Sequence, residues 1–296
     1  MVSGLKLNIC SLNTRGLRNK NKRSKVINWS SEKKFDALFL QETFVTDDFS
    51  STFDKDFNEY GSVFHSVSQT PHGRGVAIIL STNFPEYNVI NVQTDNEGRK
   101  VMVNIEISNT KTIFTLISIY APNEINERIH FFLELEKWIS EYSKCIENII
   151  IGGDFNCCDK NDRQSKRIDK SFEAFMKLKH VHDLNDVFMF CNPKQKEFTY
   201  FHPNDKTRNS RIDYILASNF ISEFVKGSKI IYAPVPDHKA VTMFLDTDNR
   251  KRGKGYWKLN NSVLEDETYK TLIREQISCT KSEYSSGVRN KIFWKL

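Results

Sequence analysis

The sequence predicts an α/β fold, and three of its features do so. Short apolar runs recur along the chain and end on polar residues, the arrangement in which α/β proteins collect ligands at strand ends. Between some of them lie segments whose apolar residues step by threes and fours, as on one face of a helix. From Val63 to Ser118 several β-like runs follow one another with turns between, which reads as antiparallel strands.

Leu5 to Ser11 alternates and leads into the turn-prone Asn13-Thr14-Arg15-Gly16, so a strand presents Asn13 at its end. A helix is expected near Lys22 to Ser31, then a buried strand, Ala37 to Leu40, ending on Gln41-Glu42-Thr43. Val101, Val103, Ile105 and Ile107 alternate with Met102, Asn104 and Glu106, while Gly73-Arg74-Gly75 and Asn96-Glu97-Gly98 supply turns. After Tyr120-Ala121-Pro122, the spacing of Ile125, Ile129, Phe132, Leu135 and Ile139 gives an amphipathic helix. Ile149-Ile150-Ile151 reads as a short strand broken by Gly152-Gly153, with Asp154 and Asn156 just beyond its end. A second helix is expected over Asp169 to Lys179, and strands over Ile212 to Ala217, Ile230 to Ala233 and Ala240 to Leu245, with Asp237-His238 in the loop before the last. From about Thr247 the chain turns charged and glycine-containing. Residues 1–246 are therefore expected to form one domain, and residues 247–296 a basic linker and a tail in which Val263 to Ile277 can form a helix.

With 39% hydrophobic residues and 22 phenylalanines, the 296-residue chain can bury a sizeable core. Lysine and arginine number 43 against 37 aspartates and glutamates; the net charge of +6 is compatible with a polyanionic partner without establishing one. The six cysteines form no Cys-x-x-Cys pair and no Cys/His ligand spacing, so neither zinc nor a disulfide framework is indicated. Lys6, Asn8 and Asn13 interrupt any apolar leader, and no window approaches the roughly 18 apolar residues of a membrane span, so a soluble intracellular protein is expected. Arg250-Lys251-Arg252 with Lys254 reads as a solvated linker rather than an address.

Hydrolysing a phosphodiester needs an activated water, neutralised phosphoryl oxygens and a stabilised leaving alkoxide. The strand ends offer such a kit. Glu42 with Asn13 nearby suits magnesium, which takes one or two carboxylates and keeps several waters. Asp154 is then left to act on water, while the Asn156 amide and the Tyr120 hydroxyl can donate to phosphate. Asp213 can hold one ring nitrogen of His238 and favour the imidazolium, and Asp237 points at the metal or its water. Each of these residues alone is more often a turn former, a surface charge or a rim residue; their joint occurrence in this order carries the reading. Arg15, Arg18, Lys20, Lys22 and Arg23 read equally as a phosphate track and as the solvated face of the first helix.

Leu12-Asn13-Thr14-Arg15-Gly16, Gln41-Glu42-Thr43, Ile119-Tyr120-Ala121-Pro122, Gly153-Asp154-Phe155-Asn156, Ser210-Arg211-Ile212-Asp213-Tyr214 and Asp237-His238-Lys239 together resemble the ordered motifs of the endonuclease/exonuclease/phosphatase superfamily, from about residue 5 to 246. The resemblance implies a four-layer, DNase I-like α/β sandwich of two mainly antiparallel sheets flanked by helices. Phe198-Thr199-Tyr200-Phe201-His202-Pro203 and Gly255-Tyr256-Trp257-Lys258-Leu259-Asn260 look most like the apurinic-type endonuclease of non-LTR (LINE) retrotransposons, the second string like the segment that joins it to a reverse transcriptase, a part absent from this chain. By that resemblance Glu42, Asn13 and Asp237 hold Mg2+, or Mn2+ in its place, Asp154 activates water, Asn156 and Tyr120 hold the phosphate, and Asp213 supports His238. Asn13, Arg15, Thr199 and Arg211 would face double-stranded DNA, which is nicked to leave a 3′-hydroxyl that primes reverse transcription, in the nucleus by function. Phe44 in place of a lysine after Gln-Glu-Thr, and Ser210-Arg211 in place of an aromatic residue, argue against abasic-site specificity. Pro236 stands where serine is usual and supplies neither a hydroxyl nor an N–H, a loss expected to lower activity without abolishing it. The rival functions are a phosphodiesterase or phosphatase of the same superfamily acting on lipid or inositol phosphates, and a catalytically inactive nucleic-acid-binding remnant.

Overall fold

A computed structural model describes residues 4–165 and 168–248, together with scattered positions between Glu267 and Ser278, which are helical. The chain divides into two compact units, Met1–Arg250 and Lys251–Leu296. Most of the expected linker, the Gly255 to Asn260 string, and Val263 to Asp266 of the expected tail helix lie outside the described residues.

In chain order the first unit contains β1 (Lys6–Asn13), α1 (Lys20–Glu32), β2 (Ala37–Gln41), α2 (Asp47–Phe57), β3 (Gly61–Ser66), β4 (Val76–Ser81), β5 (Tyr87–Thr94), β6 (Lys100–Ile107), β7 (Ile113–Tyr120) and α3 (Ile125–Tyr142). There follow β8 (Ile149–Asp154), α4 (Phe172–Val181), β9 (Leu184–Asp186), α5 (Val187–Cys191), β10 (Asp213–Ser218), α6 (Asn219–Ser222), β11 (Val225–Tyr232) and β12 (Lys239–Asp246). The strands form two six-stranded sheets, ordered β11-β12-β1-β2-β4-β3 and β5-β6-β7-β8-β10-β9. Each sheet has one parallel pair at its centre, β1 with β2 and β7 with β8, and its other pairs are antiparallel.

Leu7, Ile9, Phe39, Ile78, Val103, Leu116, Ile150, Ile215 and Met243 fill the space between the sheets. Val26 of α1 with Phe53 and Phe57 of α2 covers the outer face of the first sheet, where Leu38, Leu40 and Ile79 point. Phe132 and Leu135 of α3 and Phe175 of α4 cover the second, over Ile149, Ile151 and Leu216. The four layers follow, because β2 and β8 bury residues on both faces and therefore read as unbroken apolar runs. The start of α1 is set by Asn19, whose Oδ1 accepts from the Lys22 N–H at 3.1 Å. None of the described helices is long and apolar enough to cross a membrane.

One expectation is corrected at β8, which runs through Gly152-Gly153 instead of breaking there, pairing Gly152 with Ser118 and Ile215 and Gly153 with Ile119 and Tyr214. The glycines answer to crowding. A Cβ on Gly152 would stand 2.6 Å from Phe39 Cβ of the opposite sheet, and one on Gly153 would stand 2.5 Å from Ile119 Cγ1. Gly152→Ala is accordingly expected to cost about 1–3 kcal/mol through overpacking, read as a lowered Tm in thermal unfolding of the full chain.

Candidate active site

The parallel strand pairs decide where the polar residues gather. Asn13 at the end of β1 lies in register with Gln41 at the end of β2, and Tyr120 at the end of β7 with Asp154 at the end of β8. Antiparallel β10 starts directly opposite, with Asp213 paired to Asp154. Arg15, Glu42 and Asn156, just past these strand ends, have positive φ values of 51°, 48° and 51°. Such a backbone costs about 1–2 kcal/mol per non-glycine residue and persists where surrounding bonds hold it. Here Gly16 N–H donates to the Glu42 carbonyl at 2.7 Å and Phe155 N–H to the Ile212 carbonyl at 2.8 Å.

Asn13 Nδ2 donates to Glu42 Oε1 at 3.0 Å and to Asp154 Oδ2 at 2.8 Å, joining the two sheets across the site. Its Oδ1 accepts from the Arg15 N–H at 3.0 Å, which fixes which way the amide points. Asp154 Oδ1 accepts from the Asn156 N–H at 2.9 Å, so both oxygens of this buried carboxylate are oriented. Asn156 Nδ2 is tied to the Ala121 carbonyl at 2.8 Å. Asp213 receives His238 Nδ1 at 2.9 Å through Oδ2 and 3.2 Å through Oδ1, leaving Nε2 as the other donor of the ring. Ligand atoms of Asp154, Asp213 and His238 all lie within 4.8 Å of one another.

The electrostatics follow from burial. Desolvation, and then the charge of Asp213, push the Asp154 pKa up from the ordinary carboxylate range, toward that of a general base. For His238 burial alone would favour the neutral ring, but the charge and hydrogen bond of Asp213, with Asp154 and Asp237 behind, outweigh it and raise the pKa to about 9. The ring is thus an imidazolium at neutral pH. Burial and the charges of Glu42 and Asp154 raise the Tyr120 phenol, keeping it a protonated donor.

Glu42, Asp154, Asp213 and Asp237 are four buried carboxylates, faced by the cations Arg15 and His238. Arg15 spans two of them, with Nε 3.0 Å from Asp237 Oδ2 and Nη1 3.6 Å from Glu42 Oε2. Asp237 Oδ1 is buried with no hydrogen-bond partner among the described residues. An oxygen-rich set with excess negative charge and an orphaned carboxylate oxygen fits a hard divalent cation. Lys22 also belongs here, donating from Nζ to the Arg15 carbonyl at 2.9 Å, as does Tyr200, whose ring lies 5.2 Å from that of His238. The aromatic cluster Phe198 to Phe201 was a signal for Tyr200; nothing local distinguished Lys22 from its basic neighbours.

Three residues expected to face DNA do not. Asn13 is fully buried, its NH2 given to Glu42 and Asp154 and its oxygen to the Arg15 N–H, so it orients the two carboxylates and turns a donor, not a metal ligand, toward them. Thr199 is fully buried, its Oγ1 accepting from the Ile212 and Asp213 N–H groups at 3.0 and 3.1 Å, so it holds the start of β10 in place. Arg211 is 3% exposed, with Nη1 2.6 Å from Asp186 and Nη2 2.6 Å from Asp162. A guanidinium paired inside the protein cannot reach a phosphate, and its work is to clamp the β8–α4 loop to β9 and β10. Arg211→Ala, which leaves two carboxylates without their partner, is expected to cost about 3–5 kcal/mol in denaturant unfolding. Among the basic residues after β1, Arg23 is likewise buried, donating to Asp56 and to the Leu17 and Arg18 carbonyls.

A sequence profile of the Endonuclease/Exonuclease/phosphatase family matches residues 7–235. The "Transposon TX1 uncharacterized 149 kDa protein" of Xenopus laevis is 31% identical over 273 residues, which are 91% of this chain and 20% of that protein, so the chain spans about a fifth of its relative's length. Among solved structures, an AP endonuclease from Archaeoglobus fulgidus superposes with a TM-score of 0.67 at 20% identity, over 81% of this chain and 99% of that one. The endonuclease domain of TRAS1, a telomere-specific non-LTR retrotransposon, gives 0.61 at 18% identity over 83% and 100%. The 3′ phosphatase NExo from Neisseria, bound to a product DNA hairpin, gives 0.67 at 18% identity over 81% and 99%. At these identities the structural likenesses establish the shared α/β sandwich.

Proposed function

Because this chain belongs to the endonuclease/exonuclease/phosphatase family, we propose that it is a magnesium-dependent endonuclease that nicks double-stranded DNA and leaves a 3′-hydroxyl. The observation that carries the reading is the convergence of Asn13, Asp154 and the Asp213–His238 pair in one buried acidic site. The likeness to the transposon protein supports the retrotransposon branch of the family. There the new 3′-hydroxyl would prime reverse transcription of an element in the nucleus, by a reverse transcriptase carried on the longer parent protein.

Glu42 and Asp237 would hold Mg2+, or Mn2+ in its place, with Glu42 oriented by Asn13 Nδ2; the ion would neutralise charge on the phosphoryl oxygens and on the leaving 3′ oxygen, which takes its proton from solvent. Asp154, oriented by Asn13 and by the Asn156 N–H, takes the proton of a water placed in line with the scissile bond. The His238 imidazolium, held by Asp213, stabilises the charge that builds on the phosphate, and Tyr120 and Asn156 donate to the same oxygens. Arg15 balances Glu42 and Asp237 and extends toward the DNA backbone with Lys22 beside it.

The test is relaxation of supercoiled plasmid by the full chain with Mg2+, followed by extension of the product with a DNA polymerase. Open circles that the polymerase extends, and that do not form when a chelator is present from the start, are expected. Nicks that form equally in chelator, or ends that resist extension, would overturn the proposal.

A further inference from the structure

We propose that a basic cleft at the far end of β1 from the active site is a second nucleic-acid contact, which takes an unpaired single strand of DNA. The cleft measures about 620 Å3 and is lined by Lys6, Lys33, Lys34, Lys226, Lys229 and Phe244. Lys6 lies seven residues before Asn13, about 23 Å at the rise of a strand, so one β-strand separates the two sites.

The cleft is built by the fold. β1, β12 and β11 lie side by side, with Phe244 in register between Asn8 and Gly227, and Lys229 opposite Thr242. The turn after α1 brings in Lys33 and Lys34. Asn8 Nδ2 donates to the carbonyls of Lys33 and Lys34 at 3.0 and 3.2 Å and so holds Lys34 at a φ of 55°. Asp36, which accepts from the Asn8 N–H at 2.6 Å, and Asp246, 3.8 Å from Lys6 Nζ, bring carboxylates to the lysines of the cleft.

Phe244 is 42% exposed on this floor, an apolar ring ringed by cations. A cationic groove with an aromatic platform is the pairing that binds single strands, the lysines tracking phosphates while a base stacks on the ring. A duplex stacks its bases on one another and offers the ring no face. DNA is the strand chosen here because this inference rests on the nicking activity, which frees a strand end to unpair beside the protein.

Fluorescence anisotropy of the full chain with a labelled oligothymidylate, in magnesium-free buffer over a salt series, tests the cleft separately from catalysis. Lys33→Ala/Lys229→Ala is expected to bind at least tenfold more weakly, with its log–log salt slope reduced by about 1.4, two contacts at about 0.7 each. Phe244→Ala is expected to bind about tenfold more weakly with the salt slope unchanged. Plasmid nicking by both variants should match that of the starting protein; if that protein does not nick, the nicking proposal fails while the anisotropy still reports on the cleft. Unchanged oligothymidylate affinity in either variant would overturn the inference. So would tighter binding of oligouridylate, or displacement of the oligonucleotide by polyglutamate as readily as by unlabelled oligothymidylate.

Discussion

Asp154→Asn is expected to lower the plasmid-nicking rate by about 10²–10⁴-fold, the range that a positioned general base contributes. The substitution keeps volume and shape, and the amide oxygen can still accept from one of the two donors, Asn13 Nδ2 or the Asn156 N–H, which reach different oxygens of the carboxylate. What is lost is the ability to take a proton from water. The raised pKa of Asp154, caused by burial and then by Asp213, makes the carboxylate more basic than one in solvent, so its loss removes a tuned group. Because Asp154 is buried against another carboxylate, removing its charge offsets the acceptor that is lost, and the variant should keep the fold. A rate unchanged by Asp154→Asn would place the base elsewhere.

His238→Ala is expected to reduce nicking by about 10²–10³-fold, comparable to removing one preorganised donor from a transition state. Asp213→Asn should fall in the same direction, because the carboxylate that does most to raise the His238 pKa is then gone, and burial, which favours the neutral ring, is opposed only by the charges of Asp154 and Asp237. The pair acts as a unit. The double variant should therefore be little worse than His238→Ala alone, whereas independent roles would multiply the losses. Initial rates of supercoil loss for the three variants check this.

Much of the site was legible because its residues sit where strands end, and strand ends are marked by apolar runs that stop on polar residues. Asn13, Glu42, Asp154, Asp213 and His238 were all named from that pattern and from motif order, and the sheet pairing brings them together. Thr199 and Arg211 were misread because a polar residue beside a strand start can turn outward to a ligand or inward to the backbone, and the difference lies in distant partners. For Arg211 those partners are Asp162 and Asp186, on loops that pack together only in the folded chain. The link from Arg15 to Asp237 is of the same kind.

In the fold, strands buried on both faces announced themselves, whereas β9, α5 and α6 are too short to show a period. The helix α2 was missed although Phe49, Phe53 and Phe57 recur every fourth residue, and Phe53 and Phe57 are fully buried. The glycines of β8 were read as a strand breaker because propensity is local, while the contact with Phe39 that requires Gly152 crosses between the two sheets.

The central claim is that these strand ends form one hydrolytic site. It is tested most directly by plasmid nicking in Mg2+ with the starting protein, Asp154→Ala and His238→Ala side by side. Conversion of supercoiled to open circular DNA by the starting protein, with both variants silent over the same time course, is the expected result. Nicking that persists in both variants, or none from the starting protein, would contradict it.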